Sequence, residues 1–256
     1  MTTFDPWFQV LRPKPDAKVR LFALPYAGGG ASYFRTWNDL LPPTIELNAI
    51  QLPGREGRLR EPLLRSARAV AERLSEAIRG RLDRPFLLYG HSMGALLAFE
   101  LERILEATRA PRPEHLFVSG RAAPDCPITA APIHDLPDPE LIETVARRYQ
   151  PIPAAILSEP ELLELLLPTL RADLQIVEEY RATPEPRVAV PITAYGGRSD
   201  PLVSPAECAG WARHTEDRFT LTWVDGGHFF VNDLSTRASL VSAMVDSVSG
   251  LLSTSA

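Results

Sequence analysis

Ser92, within Gly90-His91-Ser92-Met93-Gly94, is the side chain best set by sequence to act as a nucleophile. The apolar run Pro85-Phe86-Leu87-Leu88-Tyr89 precedes it, and the helical pattern Ala95-Leu96-Leu97-Ala98-Phe99-Glu100-Leu101 follows. A Gly-x-Ser-x-Gly between a buried strand and a helix describes a nucleophile elbow, which exposes the hydroxyl at the carboxyl edge of a sheet. The glycines suit a turn where strand and helix backbones crowd together. The positive end of the helix lies beside the serine. The bland alternative is a tight turn with an inert serine.

A serine hydroxyl needs a base to take its proton. Of five histidines, His228 sits in Asp225-Gly226-Gly227-His228-Phe229-Phe230, just after the last expected strand. In the chain order serine, acid, histidine, the base belongs there. His91 adjoins the serine, and neighbouring side chains on an elbow point apart. His115 opens a strand, and His134 and His214 are expected at the surface. The acid that orients the imidazole is expected to be Asp200, in Gly196-Gly197-Arg198-Ser199-Asp200-Pro201 at a strand end. Asp125 is the rival, and Asp225 is too close to His228 along the turn. Two amides must face a developing oxyanion. They are expected from Met93, which follows the nucleophile, and from Ala27 in the loop Pro25-Tyr26-Ala27-Gly28-Gly29.

Those residues need a sheet to bring them together. Arg20–Leu24, Ile45–Ile50, Pro85–Tyr89, His115–Gly120, Val188–Tyr195 and Phe219–Val224 read as strands, with Pro191 as a local irregularity. Ala67, Val70, Ala71, Leu74, Ala77, Ile78 and Leu82 recur at helical spacing. Leu240, Val241, Met244, Val245, Val248, Leu251 and Leu252 mark a closing helix. Alternating strands and helices imply an α/β fold with a mostly parallel sheet covered on both faces. From about 125 to 186 the alternation breaks. Leu141, Ile142, Val145, Ala146 and Tyr149 form one helical face, and Leu170, Leu174, Val177 and Tyr180 another. Between them Leu162-Leu163 and Leu165-Leu166-Leu167 form an apolar patch cut by Pro168. This segment reads as a helical lid inserted in a single domain spanning 1–256, with some of its apolar residues lining an acyl channel.

The formal net charge of −5 and the pI near 5.6 argue against a nucleic-acid footprint. No stretch of 18 apolar residues spans a membrane, and Met1–Pro15 lacks the pattern of a secretory signal. Cys126 and Cys208 match no metal or redox spacing and read as reduced thiols of a cytoplasmic protein. Pro53–Arg84 holds nine arginines against five acids, whereas Leu136–Pro186 holds ten acids against four arginines. These are either solvated helix faces or, for the first segment, a face for an acidic partner.

The segments Leu24-Pro25-Tyr26-Ala27-Gly28-Gly29, Gln51-Leu52-Pro53-Gly54-Arg55, Gly90-His91-Ser92-Met93-Gly94, Ser199-Asp200 and Gly226-Gly227-His228-Phe229-Phe230, in this order, resemble the type II thioesterases. These stand-alone editing enzymes of polyketide and nonribosomal peptide assembly lines have the α/β-hydrolase fold. The resemblance runs from about Leu21 to the last helix. It implies hydrolysis of acyl groups from the phosphopantetheine arm of acyl or peptidyl carrier proteins. Ser92, Asp200 and His228 would form the triad, with the Ala27 and Met93 amides as the oxyanion hole. No metal and no cofactor of the enzyme's own is implied, since phosphopantetheine comes with the substrate. Carrier proteins are the expected partners, with no nucleic acid, no membrane and a monomeric chain. Arg55, Arg58, Arg60 and Arg65 are first candidates for docking them, although a folding defect on mutation would give Arg55 an internal role. The Met1 start favours a free-standing protein over a terminal domain of a synthase. Two other classes stay open: a small-molecule esterase or lipase on the same fold, and a binding module with a vestigial triad.

Overall fold

The computed structural model describes residues 5–149, 152–183 and 186–253. The side chain of Leu251, assigned above to the closing helix, lies outside this description. Seven strands form one sheet: β1 (Phe8–Gln9), β2 (Val19–Leu24), β3 (Ile45–Ile50), β4 (Phe86–His91), β5 (His115–Ser119), β6 (Ile192–Gly197) and β7 (Phe219–Val224). Their order is β1-β3-β2-β4-β5-β6-β7. Only β1 runs antiparallel, paired as Phe8 with Ile50 and Gln9 with Ala49. At two residues, β1 is too short to show any periodicity in sequence. β6 begins after Pro191, later than the alternation suggested. Proline has no N–H for the ladder, and Val188 makes only an isolated bridge to Thr215.

The sheet's two faces are apolar because successive side chains of a buried strand alternate between them. Phe86 and Leu88 of β4, with Phe22, Leu24, Leu116 and Val118, pack under α1 (Ala67–Ile78) and α2 (Met93–Ala107). Leu87 and Tyr89 face the other way, with Leu21, Ala23 and Phe117. That side is covered by a short 3-10 segment, Ala31–Asp39, and by Leu240, Val241 and Met244 of the helix Leu234–Ser247.

Three helices lie between β5 and β6: α3 (Asp138–Arg148), α4 (Ala154–Leu157) and α5 (Pro160–Glu178). α5 continues without interruption through Pro168, so the proline does not cut the leucine run as its position suggested. The residue four back, Glu164, is exposed together with Pro168. Water can therefore serve the carbonyl that proline leaves without a donor. After β6 come α6 (Pro205–Ala209), α7 (Leu234–Ser247) and α8 (Ser249–Ser253). Reciprocal Ser204–Glu207 bonds start α6, and the Asp233 carboxylate starts α7 by accepting the Thr236 N–H at 2.8 Å. The closing helix is broken at Val248 into α7 and α8. Among the described residues, no helix is long and apolar enough to cross a membrane.

One buried acid stands out in α2. Glu102 is fully buried, and neither carboxyl oxygen has a partner among the described residues. Burial, with Glu106 adding to it, raises its pKa from the ordinary 4.5 to about 9. The folded chain thus keeps a proton that the unfolded chain releases near 4.5. The stabilisation from this proton is complete below that pH and is lost as pH rises through about 9. Glu102→Gln should therefore be more stable than the parent near pH 8, by on the order of 2 kcal/mol or roughly 4–8 °C. The gain should shrink toward pH 4. Thermal unfolding across that range measures it, and a pH-independent difference would contradict the buried proton.

Candidate active site

β2 and β4 are neighbours in the sheet although β3 separates them in sequence. The chain changes direction across the sheet at this point, so the loops after β2 and β4 open a crevice at its carboxyl edge. Ser92 leaves β4 into this crevice with φ 53° and ψ −112°. Such a backbone is unfavourable for a residue with a side chain and persists only where its surroundings hold it. The Ser92 N–H donates to the Ser119 carbonyl at 2.8 Å. A Cβ on Gly90 would lie 2.0 Å from the Gly94 carbonyl oxygen, and one on Gly94 2.2 Å from that of Leu24. Close backbone approach thus requires both glycines.

The loops after β6 and β7 carry the next two groups. They are tied together by Arg198 N–H to the Val224 carbonyl at 2.9 Å and Ser199 N–H to that of Gly226 at 3.0 Å. His228 Nε2 lies 3.0 Å from Ser92 Oγ, and its Nδ1 lies 2.9 Å from Asp200 Oδ2. The Asp200 side chain is buried, and its other oxygen accepts the Leu202 N–H at 2.8 Å. A carboxylate held this way favours the Nδ1–H tautomer and leaves Nε2 free to accept the serine proton. Asp125 goes elsewhere, binding Arg213 at 2.9 Å and His214 at 2.8 Å. Asp225 meets Arg198 in solvent.

The remaining histidines are structural neighbours. His91 points into the core, 2.6 Å from Ser119 Oγ, and burial, with the His228 ring beside it, holds its pKa well below the ordinary value. His115 bonds Thr193 Oγ1 at 2.8 Å, and burial lowers its pKa to about 4. His134 was expected at the surface and is instead buried, with Nδ1 2.5 Å from the Glu178 carboxylate. That carboxylate also accepts the Ile133 and His134 amides, so the end of α5 draws the loop inward. His214, also assigned to the surface, is half-buried between Asp125 and the Phe99 and Trp211 rings.

The Met93 amide opens α2 and so has no intrahelical acceptor. Ala27 lines the cavity with Ser92 and His228. The next two loop amides are committed: Gly28 N–H donates to Asp173 Oδ2 at 2.7 Å and Gly29 N–H to the Tyr26 carbonyl at 2.9 Å.

Asp173 lies on α5 and is fully buried. Arg55 donates to both of its oxygens, at 2.6 and 2.7 Å, and to the Gly29 carbonyl at 3.0 Å. Arg55 therefore cannot present its charge to a carrier, contrary to the expectation from the arginine-rich segment. Arg58 is buried too, bonded to Glu61 and the Gln51 carbonyl and stacked 4.3 Å over the Trp7 ring. Arg60 and Arg65 are exposed. A signal for Asp173 was present: it is an acid set within the apolar stripe Leu170, Leu174, Val177.

The cavity in front of Ser92 measures about 460 Å³. Val145, Tyr149, Ile152 and Ile156 line one wall, and Leu170, Leu174 and Val177 of α5 another. None of the run Leu162–Leu167 lines it. Leu167 packs against Leu141 and Val145, and Leu162 and Leu165 face solvent.

A family profile for the thioesterase domain matches residues 19–247. The gramicidin S biosynthesis protein GrsT of Aneurinibacillus migulanus is 40% identical over 225 residues, 88% of each chain. Thioesterase PikA5 of Streptomyces venezuelae is 40% identical over 235 residues, 89% of this chain and 80% of its own. The solved type II thioesterase BorB, from the borrelidin biosynthetic cluster, is 35% identical with a TM-score of 0.84, covering 96% of this chain and 97% of its own. The sheet order and helical layers described above are thus those of the α/β-hydrolase thioesterases.

Breaking a buried pair leaves a charge without compensation, at a cost of about 3–5 kcal/mol. Asp173→Leu should therefore destabilise the fold by about that amount. Arg55→Met combined with Asp173→Leu should be less destabilised than either single variant. A denaturant double-mutant cycle checks this, and additive effects would contradict a coupled pair.

Proposed function

The chain belongs to the thioesterase domain family and is a hydrolase acting on thioesters, and on that premise we propose that it releases acyl groups from the phosphopantetheine arms of acyl or peptidyl carrier proteins, as an editing enzyme of a polyketide or nonribosomal peptide assembly line. The observation that carries the assignment of roles is the hydrogen-bonded line from Asp200 through His228 to Ser92, opening on an apolar cavity. In this reading His228 takes the Ser92 proton as Oγ attacks the thioester carbonyl. The Ala27 and Met93 amides hold the oxyanion. The imidazolium, stabilised by Asp200, returns the proton to the departing pantetheine sulfur. Water then gives its proton to His228 and attacks the acyl-serine, and the acid leaves as Ser92 is reprotonated.

The acyl chain occupies the cavity under α3–α5, which act as a lid over a single hydrolase domain. The chemistry uses only side chains and amides of the enzyme, and phosphopantetheine arrives on the partner. The protein works as a cytoplasmic monomer. A simple-ester hydrolase is the competing assignment.

Three variants and one comparison test this. Ser92→Ala should abolish acyl release by about 10³-fold or more, with the fold intact by circular dichroism. Asp200→Asn should lower kcat by on the order of 10²- to 10⁴-fold, while Asp125→Asn leaves it nearly unchanged. Mass spectrometry of acylated carrier proteins before and after incubation reads the activity directly. Faster turnover of a simple ester than of the acyl carrier would favour the competing assignment.

A further inference from the structure

Arg121 follows β5 by two residues and lines the cavity that holds Ser92 and His228. The other charged side chains on that wall are engaged. Arg148 donates to the Ala131 carbonyl at 2.8 Å. Glu178 accepts His134 Nδ1 at 2.5 Å and two amides. Glu207 accepts the Ser204 N–H at 2.8 Å and its hydroxyl at 2.7 Å. Arg121 differs from all three. Its Nε is buried without a partner, and among the described residues its guanidinium makes no hydrogen bond or ion pair. Tyr149, one of the groups whose field reaches it, has its ring 6.3 Å from that of His228. Burial opposes the Arg121 charge, but a guanidinium cannot shed its proton in a protein.

Arg121 itself is half-buried, and a cation partly withdrawn from water with no protein partner is costly unless something neutralises it. A guanidinium offers a planar fork that fits a carboxylate or a phosphate. We propose that Arg121 is an anion-binding subsite inside the acyl cavity, completed by a negative group that the substrate brings. That group is either a carboxylate on the acyl chain or the phosphate of the pantetheine arm. The proposal rests on the reading of the cavity as a thioester-binding site. Tyr149 and Cys126, which line the same cavity, carry no charge, and the Glu207 carboxylate, whose field also reaches Arg121, is bonded to Ser204.

The test compares the parent with Arg121→Met and Arg121→Lys on three pairs of measurements. The first pair is the pentanoyl and glutaryl thioesters of N-acetylcysteamine, which differ by a terminal carboxylate. The second pair is the pentanoyl thioesters of pantetheine and phosphopantetheine, which differ by the phosphate. Arg121→Met should lower kcat/KM for one anionic member by about 10- to 100-fold more than for its neutral partner. Loss on glutaryl identifies the acyl carboxylate, and loss on phosphopantetheine identifies the arm. Arg121→Lys should recover part of that selectivity. The third pair needs no turnover: glutarate and free phosphopantetheine are compared for protection of the protein against heat. Protection by one of them should disappear in Arg121→Met. Equal losses on neutral and anionic substrates, with thermal protection unchanged, would overturn the subsite and make Arg121 structural. If the parent hydrolyses none of the thioesters while thermal protection still depends on Arg121, the thioesterase reading fails and the anion site stands.

Discussion

The pairing of Arg55 with Asp173 inside the protein is the constraint on which the site depends. Two charges withdrawn from water must find their partners locally. Here those partners belong to three separate stretches of chain. Asp173 comes from α5, Arg55 from the loop after β3, and the backbone of Gly28 and Gly29 from the loop after β2. Thr169, one turn before Asp173, adds a bond to the Gly54 carbonyl at 2.7 Å. The loop beside Ser92 therefore has one permitted position, set by a helix more than a hundred residues away in sequence. The same helix supplies Leu170, Leu174 and Val177 to the cavity wall. The cavity and the amides beside the serine thus share a single scaffold.

The sheet sets the rest of the geometry. The loops after β2, β4, β6 and β7 bring Ala27, Ser92, Asp200 and His228 together at its carboxyl edge, and the loop after β5 lines the cavity beside them. Strain at Ser92 is tolerated because the Ser119 carbonyl and the two glycines hold the elbow between β4 and α2. The two neighbouring imidazoles differ in what they touch. His91 is enclosed beside the Ser119 hydroxyl and burial holds it neutral, whereas His228 is bonded to the Asp200 carboxylate.

Much of this was readable in the chain. Ser92, Asp200 and His228 each sit in a short motif next to a strand end, and local turn chemistry with strand order is enough to bring such motifs together. The strands were readable because buried parallel strands are short, continuous apolar runs. Long-range polar pairing was not. Arg55 looks like any other arginine in a basic segment, and Asp173 like any acid in an acidic one. Their meaning comes from mutual burial, which periodicity does not encode. His134 was misplaced for the same reason, since Glu178 lies 44 residues away. Pro168 was misread because a proline's effect depends on whether the freed carbonyl faces water.

That proline divides α5 into two unlike halves. After it, Thr169, Asp173 and Glu178 are bonded to Gly54, Arg55 and the Ile133–His134 amides. Before it, Leu162 and Leu165 face solvent. The proline leaves the Glu164 carbonyl without its helical donor, and both residues lie in water. The helix is thus a post rooted at one end: the half that walls the cavity is the half bolted to the loop that carries Ala27.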